Sequence, residues 1–324
     1  MEETKTAAVI AEELPAEGRL PEKKKRRITS EEIWGTVFAA IPVLGLLLFS
    51  LVPMAISLVS VFFDMRGFSF TSLEWNSFRH FKDLAADGMF WRSIGISVYL
   101  TSAQVISLLV ALAVSMLLGQ RLRGSKLFTV VFFIPYICST VAISIMWKWM
   151  FNTNYGIIND ILTSMFGEGA RVAWMSDENW IVPTLLIVMV WNMPGYGITL
   201  LNAAINNVNR TYYEAAELDG ATKPRMFWSI TLPAISPTLF FLLMVGIING
   251  MQTFDVINVF YPSDWVLGGG TGNAAVSTVF YIYDTATRLV NMPLASLMSW
   301  VLFLIILVVS VLNFRLSDRW VSYD

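Results

Sequence analysis

The sequence predicts an all-α integral membrane protein with six transmembrane helices. Three observations predict it. The 324 residues are 56% hydrophobic and only 14% charged, where soluble domains run at about 45–50% and about 25%. Six charge-free stretches reach the ~20 apolar residues that a bilayer core requires of a helix. Lys and Arg crowd into alternate connecting segments, as they do across a membrane. The mean hydropathy of +0.61 excludes a disordered chain, a coiled coil and a soluble enzyme. The net charge of −2 argues against nucleic acid as a partner. A single cysteine, Cys138, and a single histidine, His80, exclude a disulfide framework and most zinc chemistry.

Residues 1–34 read as a polar, basic cytoplasmic tail, its first 30 residues mobile. Lys23, Lys24, Lys25, Arg26 and Arg27 sit just before the first span and read as its topogenic anchor. The other meanings of such a run are a nuclear signal or a lipid patch. The first span, 35–62, contains Pro42 and Pro53, so it should tilt or kink. It is too long for a signal peptide and has no small-residue cleavage site after it. Five more spans follow at 93–118, 127–147, 180–205, 234–254 and 294–314, and 315–324 closes the chain. Backbone groups in lipid must pair internally, which makes every span a helix. Trp91, Trp147, Trp180 and Trp300 fall near span ends, where an interfacial belt is expected. With the N-terminus inside, the inside segments hold 15 Lys and Arg and the outside segments seven, accounting for all 22. Both termini are therefore expected in the cytoplasm.

Two segments imitate nucleotide-binding loops. In Gly119–Lys126, Ser125 precedes Lys126 where a phosphate loop needs the reverse order, and no strand leads into it. Gly268–Gly272 has Asn273 where a dinucleotide fingerprint needs glycine, and it reads as a flexible outside loop. Asn209-Arg210-Thr211 fits a glycosylation sequon but falls on the cytoplasmic side. No nucleophile–base pair stands out.

The informative segment is 206–233, the longest internal cytoplasmic connection. Thr211 followed by Glu214 makes a capping box. Ala215, Ala216 and Leu218 propagate a helix, and Gly220 ends it. Thr222 and Pro224 can start a second helix, and Ile230-Thr231-Leu232-Pro233 leads into the fifth span. The result is a helix–turn–helix outside the membrane. Asp219 lies at a helix C-terminus, where the macrodipole disfavours a carboxylate, so a partner is one reading and a plain surface hairpin the other.

Glu214-Ala215-Ala216, Gly220, Ile230 and Leu232-Pro233 resemble, without a spacing error, the signature loop of permease subunits in binding-protein-dependent ABC importers. The resemblance covers about 93–314, the type-1 permease core. It is to the carbohydrate, maltose-type branch: Tyr136 after Pro135, Tyr196 eighteen residues before Glu214, and Phe254-Asp255-x-Ile257 look like that branch. Where the branch often has Gly-Gly-Pro in its last outside loop, this chain has Gly269-Gly270-Thr271. Length and layout also suit permeases for alginate-like oligouronides.

The resemblance implies a type-1 permease fold and a role in translocating a sugar or oligosaccharide, with no enzyme activity of its own. It implies a second, different permease subunit, two ATPase subunits that hold the ATP and Mg, and a solute-binding protein. It places the chain in the inner membrane of a prokaryote. The helix after Thr211 would be the coupling helix, with Glu214, Ala215, Ala216, Asp219, Gly220, Ile230, Leu232 and Pro233 forming the ATPase-coupling element. Tyr136 and Tyr196 carry over from sugar-contact positions. Thr140, Asn192, Asn249 and Thr253 occupy corresponding positions, with Gln252 and Asp255 beside them. Each has a plainer reading. Asn192 could satisfy carbonyls freed at Met193-Pro194, Asn249 could join helices, and Asp255 could mark the outer interface. Gln104 and Ser115 read as interhelical hydrogen bonds. Lys148, Arg171 and Arg288 would suit an acidic sugar or serve as interface anchors. The competing functions are a polyol or glycerophosphodiester importer, a secondary transporter and a membrane enzyme. A secondary transporter would need paired ionisable groups inside the spans, which hold none, and the single His and the absence of a carboxylate cluster argue against a membrane enzyme.

Overall fold

A computed structural model describes residues 30–65, 73–119, 124–262 and 268–322. The tail's basic run and most of its polar residues lie outside the described residues. The chain divides into two compact units, 1–55 and 56–324. The first holds α1 (Ser30–Leu46), a π-helical turn at Leu47–Leu51 and the start of α2 (Val52–Ser60), whose residues from Ile56 on belong to the second. Pro53 has no N–H for the carbonyl of Phe49, and the wide turn sits where that bond is missing. The expected irregularity is thus a π turn beside Pro53, and Pro42 stays inside a regular helix. Trp34–Ser60 is a continuous apolar helix of 27 residues.

In the second unit, β1 (Phe63–Asp64) pairs antiparallel with β2 (Glu74–Trp75). The short helix α3 (Arg79–Ala86) follows. Next comes α4 (Gly88–Leu118), started by Asp87, whose Oδ1 accepts the N–H groups of Met89 and Phe90. This helix is the scaffold of the unit. Its buried face reads Phe90, Ser93, Ser97, Leu100, Ala103, Ser107, Ala111 and Ser115, a run dominated by small residues. Small residues let neighbouring backbones approach where hydrophobicity offers no drive for helices to associate. The later spans, α9 (Pro194–Asn207) and α12 (Leu232–Met251), pack against it. Gly250 has its Cα so close to Thr101 that a Cβ would lie 2.8 Å from that residue's Cα. Ser115 donates across to the carbonyl of Ile198 at 3.3 Å, the expected interhelical bond. Ala111, Ile198, Leu201, Ile235, Leu239 and Leu242 form one core between these helices.

Three predicted spans are interrupted. The span expected over 127–147 is α5 (Ser125–Ile137) and α6 (Thr140–Met150), bent by 96° at Cys138-Ser139. The fourth span keeps one course over Glu178–Asn207, and its hydrogen-bond ladder is interrupted at Met193, between α8 (Glu178–Asn192) and α9, because Pro194 cannot donate a helical bond. The fifth breaks at Gln252–Phe254, between α12 and the short α13 (Asp255–Phe260). The sixth, α15 (Met292–Ser317), is regular. Five described helices are long and apolar enough to cross a membrane, and six if the bent pair counts as one span.

The segments expected outside hold regular structure. They contain α7 (Ile157–Phe166) and α14 (Thr278–Thr287). Buried Asn159 holds the loop around α7, donating to the carbonyls of Thr153 and Val172 and accepting from Trp174 Nε1 at 2.9 Å. The glycine-rich segment is no free loop in its described part. Gly269 accepts from Ala275 N at 2.9 Å, and Val276 behind it is fully buried. Trp147, expected in an interfacial belt, is buried against Phe151 and Trp191 instead. Trp91 and Trp180 are exposed as expected.

Candidate functional site

Irregular backbone at membrane depth persists only where it lines a cavity or is covered by protein. Here the three interruptions converge on one cavity of about 490 Å³. Each break contributes residues from both of its sides. Tyr136 and Thr140 flank the first break, and Asn192 and Tyr196 flank the second. Asn249, Gln252, Thr253 and Asp255 surround the third. All of these sequence-derived candidates line the same cavity.

The breaks also explain how the side chains are held. A helix running on past Ile137 would give the Pro135 carbonyl the N–H of Ser139. The 96° bend removes that donor, and Asn192 Nδ2 replaces it at 2.7 Å. The plainer reading put Asn192 on carbonyls freed at its own Met193-Pro194 kink, whereas the carbonyl it satisfies belongs to the neighbouring broken span. Gly195 makes the approach possible, since a Cβ there would lie 2.4 Å from the Phe132 carbonyl oxygen. Drawn together, Tyr136 and Tyr196 stack with ring centroids 5.3 Å apart and planes 19° apart. Such a pair offers an apolar aromatic surface with hydroxyl tips. Thr253 is tied down at both ends, its hydroxyl donating to Gly250 O at 2.8 Å and its carbonyl accepting from Ser277 at 2.6 Å.

Sequence reasoning missed Gln104, Ser107, Ser144 and Phe254, which also line the cavity. Gln104 was assigned to helix packing, yet it faces the cavity beside Gly246. Ser144 follows Thr140 by four residues, one helical turn on, and that spacing was the available signal. Its buried hydroxyl has no hydrogen-bond partner among the described residues.

The three outer cations stand elsewhere. Lys148 donates to the carbonyl of Val259 at 3.1 Å and so braces α13. Arg171 donates to the carbonyl of Thr153 at 2.8 Å. Arg288 pairs with Asp284 at 3.1 Å. Tyr281 donates to Asp87 Oδ2 at 2.8 Å. Burial first, and then the Asp87 carboxylate, push the Tyr281 phenol well above its ordinary range.

The second candidate element is the hairpin. Its first helix, α10 (Arg210–Leu218), starts two residues earlier than the capping box implied. The cap is Asn209, whose Oδ1 accepts the Thr211 N–H at 3.0 Å, so Glu214 is exposed and not needed as a cap. The end is a Schellman motif. Ala221 N–H reaches Ala216 O at 2.9 Å, Gly220 N–H reaches Glu217 O at 3.0 Å, and Gly220 takes the φ of +74° that the motif needs. The second helix, α11 (Lys223–Met226), is not separate. It runs through a π turn at Phe227–Thr231 into α12. Tyr213 and Thr231 join their hydroxyls at 2.9 Å and fix α10 to that continuous helix. Glu214, Ala215, Asp219 and Gly220 are exposed, and Leu218 is 91% exposed. Ala216 is half-buried, as are Ile230, Leu232 and Pro233 at the root. The motif therefore divides into a presented tip and a rigid base.

Residues 105–322 match the family described as "binding-protein-dependent transport system inner membrane component". The chain is 29% identical over 310 residues to the probable ABC transporter permease protein YesP of Bacillus subtilis, covering 93% of this chain and 96% of that protein. It is 30% identical over 285 residues to the lactose transport system permease protein LacF of Rhizobium radiobacter, covering 87% and 92%. Its fold matches a chain in the crystal structure of a bacterial ABC transporter that imports the acidic polysaccharide alginate. The TM-score is 0.74, the identity 22%, and the cover 89% of this chain and 96% of that one.

Proposed function

The chain belongs to the family of binding-protein-dependent transport system inner membrane components, and on that premise we propose that it is the sugar- or oligosaccharide-translocating permease subunit of an ATP-driven importer. The observation that carries the reading is the cavity. Three broken spans bring together a stacked tyrosine pair, the amides of Gln104, Asn192, Asn249 and Gln252, and the hydroxyls of Thr140 and Ser144. Aromatic faces suit the C–H surface of a sugar ring, and amides and hydroxyls suit its hydroxyl groups. The lactose carried by the system of one relative agrees with that chemistry.

The chain is a translocation component and not an enzyme. ATP and Mg bind the two ATPase subunits, which sit below this chain and a second permease subunit. A solute-binding protein delivers the substrate from outside. Both termini and the α10 hairpin lie on the cytoplasmic side of the inner membrane, as the Lys and Arg distribution implies. The exposed tip of the hairpin enters a groove on an ATPase, a helix-in-groove contact. Its continuity with α12 lets ATPase closure act on the cavity through one rigid lever.

Affinity purification of the tagged chain from its native membranes tests this. A protein carrying a phosphate loop and a second permease should copurify, and deletion of the chain should abolish uptake of at least one saccharide. Solute movement by purified complex without any ATP-hydrolysing companion would refute the reading.

A further inference from the structure

We propose that this site selects neutral saccharides and excludes those bearing carboxylate, phosphate or sulfonate groups. The inference rests on the saccharide reading above and narrows its substrate class. Among the described residues lining the cavity, no Lys, Arg or His occurs, and the one carboxylate is Asp255. Asp255 stands at the third break, at the start of α13, on an exposed position of the lining. The basic residues that would have suited an acidic sugar are committed outside the cavity. Lys148 braces Val259, Arg171 holds the carbonyls of Thr153 and Asn154, and Arg288 pairs with Asp284.

The physics runs one way. An anion entering a cavity gives up hydration, and neutral amides and hydroxyls offset less of that cost than an opposing cation would. A carboxylate on the lining repels an entering anion further. A neutral sugar meets neither penalty, and Asp255 can accept hydrogen bonds from its hydroxyls. The likeness to an alginate importer, at 22% identity, is one of fold and does not carry charge preference with it.

The test is uptake into proteoliposomes holding the complete transporter with its solute-binding protein. Lactose and raffinose are the neutral probes, and digalacturonate and sn-glycerol-3-phosphate the anionic ones. Wild type should take up neutral probes at least about tenfold faster than anionic ones. Asp255→Asn should shrink that ratio by about fivefold or more, and Asp255→Glu should preserve it. The same binding protein serves every variant, so a change in the ratio reports on the cavity. Anionic uptake equal to neutral uptake in wild type would overturn the inference. So would an unchanged ratio in an assembled Asp255→Asn complex. If that variant fails to assemble, a ratio lost in Asp255→Glu overturns it instead. The saccharide reading itself falls to a different result, a deletion strain that loses uptake of no saccharide.

Discussion

Asn192 donates its side-chain amide to the Pro135 carbonyl at 2.7 Å, so the break in one span is closed by a residue at the break in the next. Two irregularities that would each be costly in a membrane become a single unit. Asn192→Leu removes the donor and leaves the carbonyl part-buried and unpaired. A loss of about 1–3 kcal/mol is expected, read as a lower thermal midpoint of the purified complex. An unchanged midpoint would show that another donor serves Pro135.

Gly195 is the second requirement of that junction. A methyl there would lie 2.4 Å from Phe132 O and 2.9 Å from Phe133 Cα. Both contacts are backbone, so no side chain can swing aside. Gly195→Ala should force the broken spans apart and cost about 1–3 kcal/mol, reducing the yield of assembled complex. It should also disturb the Tyr136–Tyr196 stack more than Asn192→Leu does. Normal assembly and uptake would contradict the close approach.

Tyr196→Ala and Asn249→Ala test the cavity without touching the junction's hydrogen bond. An aromatic contact contributes about 0.5–1.5 kcal/mol beyond its buried area. Tyr196→Ala should therefore raise the apparent KM for the transported sugar by several-fold while subunit stoichiometry is unchanged. Asn249→Ala should act in the same direction. Wild-type uptake kinetics in both variants would remove these residues from the substrate path.

Six apolar stretches were legible in the sequence because span length is set by bilayer thickness and hydropathy is additive. The candidates at the cavity came from the sugar-contact positions that the family resemblance implied; the cost of polar groups at membrane depth supported them but did not single out Ser107 or Ser144 in the same stretches. What remained hidden was local. The 96° bend at Cys138-Ser139 contains no proline at the bend itself. Pro135 lies three residues before it and inside α5, so composition marks irregularity without giving its angle. Trp147 was placed at an interface by its position near a span end. Its burial follows from that same bend, which no periodicity encodes. The cap at Asn209 was overlooked because Thr211 and Glu214 offered a more familiar pattern. Asn209 is an equally good cap residue two positions earlier.

Tyr281 and Asp87 supply a prediction with a pH sign. The Tyr281 phenol donates to Asp87 Oδ2 at 2.8 Å, and its pKa in the folded protein is raised above the ordinary 10 by burial and then by Asp87. A raised pKa means that the folded state favours the neutral phenol. The bond's stabilisation is therefore fully present below about pH 10 and is lost as pH rises further. Tyr281→Phe should lower stability by about 1 kcal/mol, by a constant amount from mildly acidic to mildly alkaline pH. The difference from wild type should shrink only above about pH 10. A difference that already varies between pH 6 and 8 would assign the effect to another group.

The hairpin separates two roles that one residue had seemed to hold. Because Asn209 caps α10, Glu214 is released for contact with a partner. The two substitutions should then part company. Asn209→Ala removes the cap and should destabilise the hairpin by about 1 kcal/mol, visible as faster amide exchange over 210–218, while the exposed carboxylate of Glu214 remains. Glu214→Lys should leave exchange in α10 nearly unchanged, because the Schellman end at Gly220 and the Tyr213–Thr231 bond do not involve it. It should instead abolish substrate-stimulated ATP hydrolysis by the reconstituted transporter, with the chain still inserted. If Glu214→Lys loosened α10 as much as Asn209→Ala and left hydrolysis coupled, the carboxylate would be part of the helix and not of its grip on the ATPase.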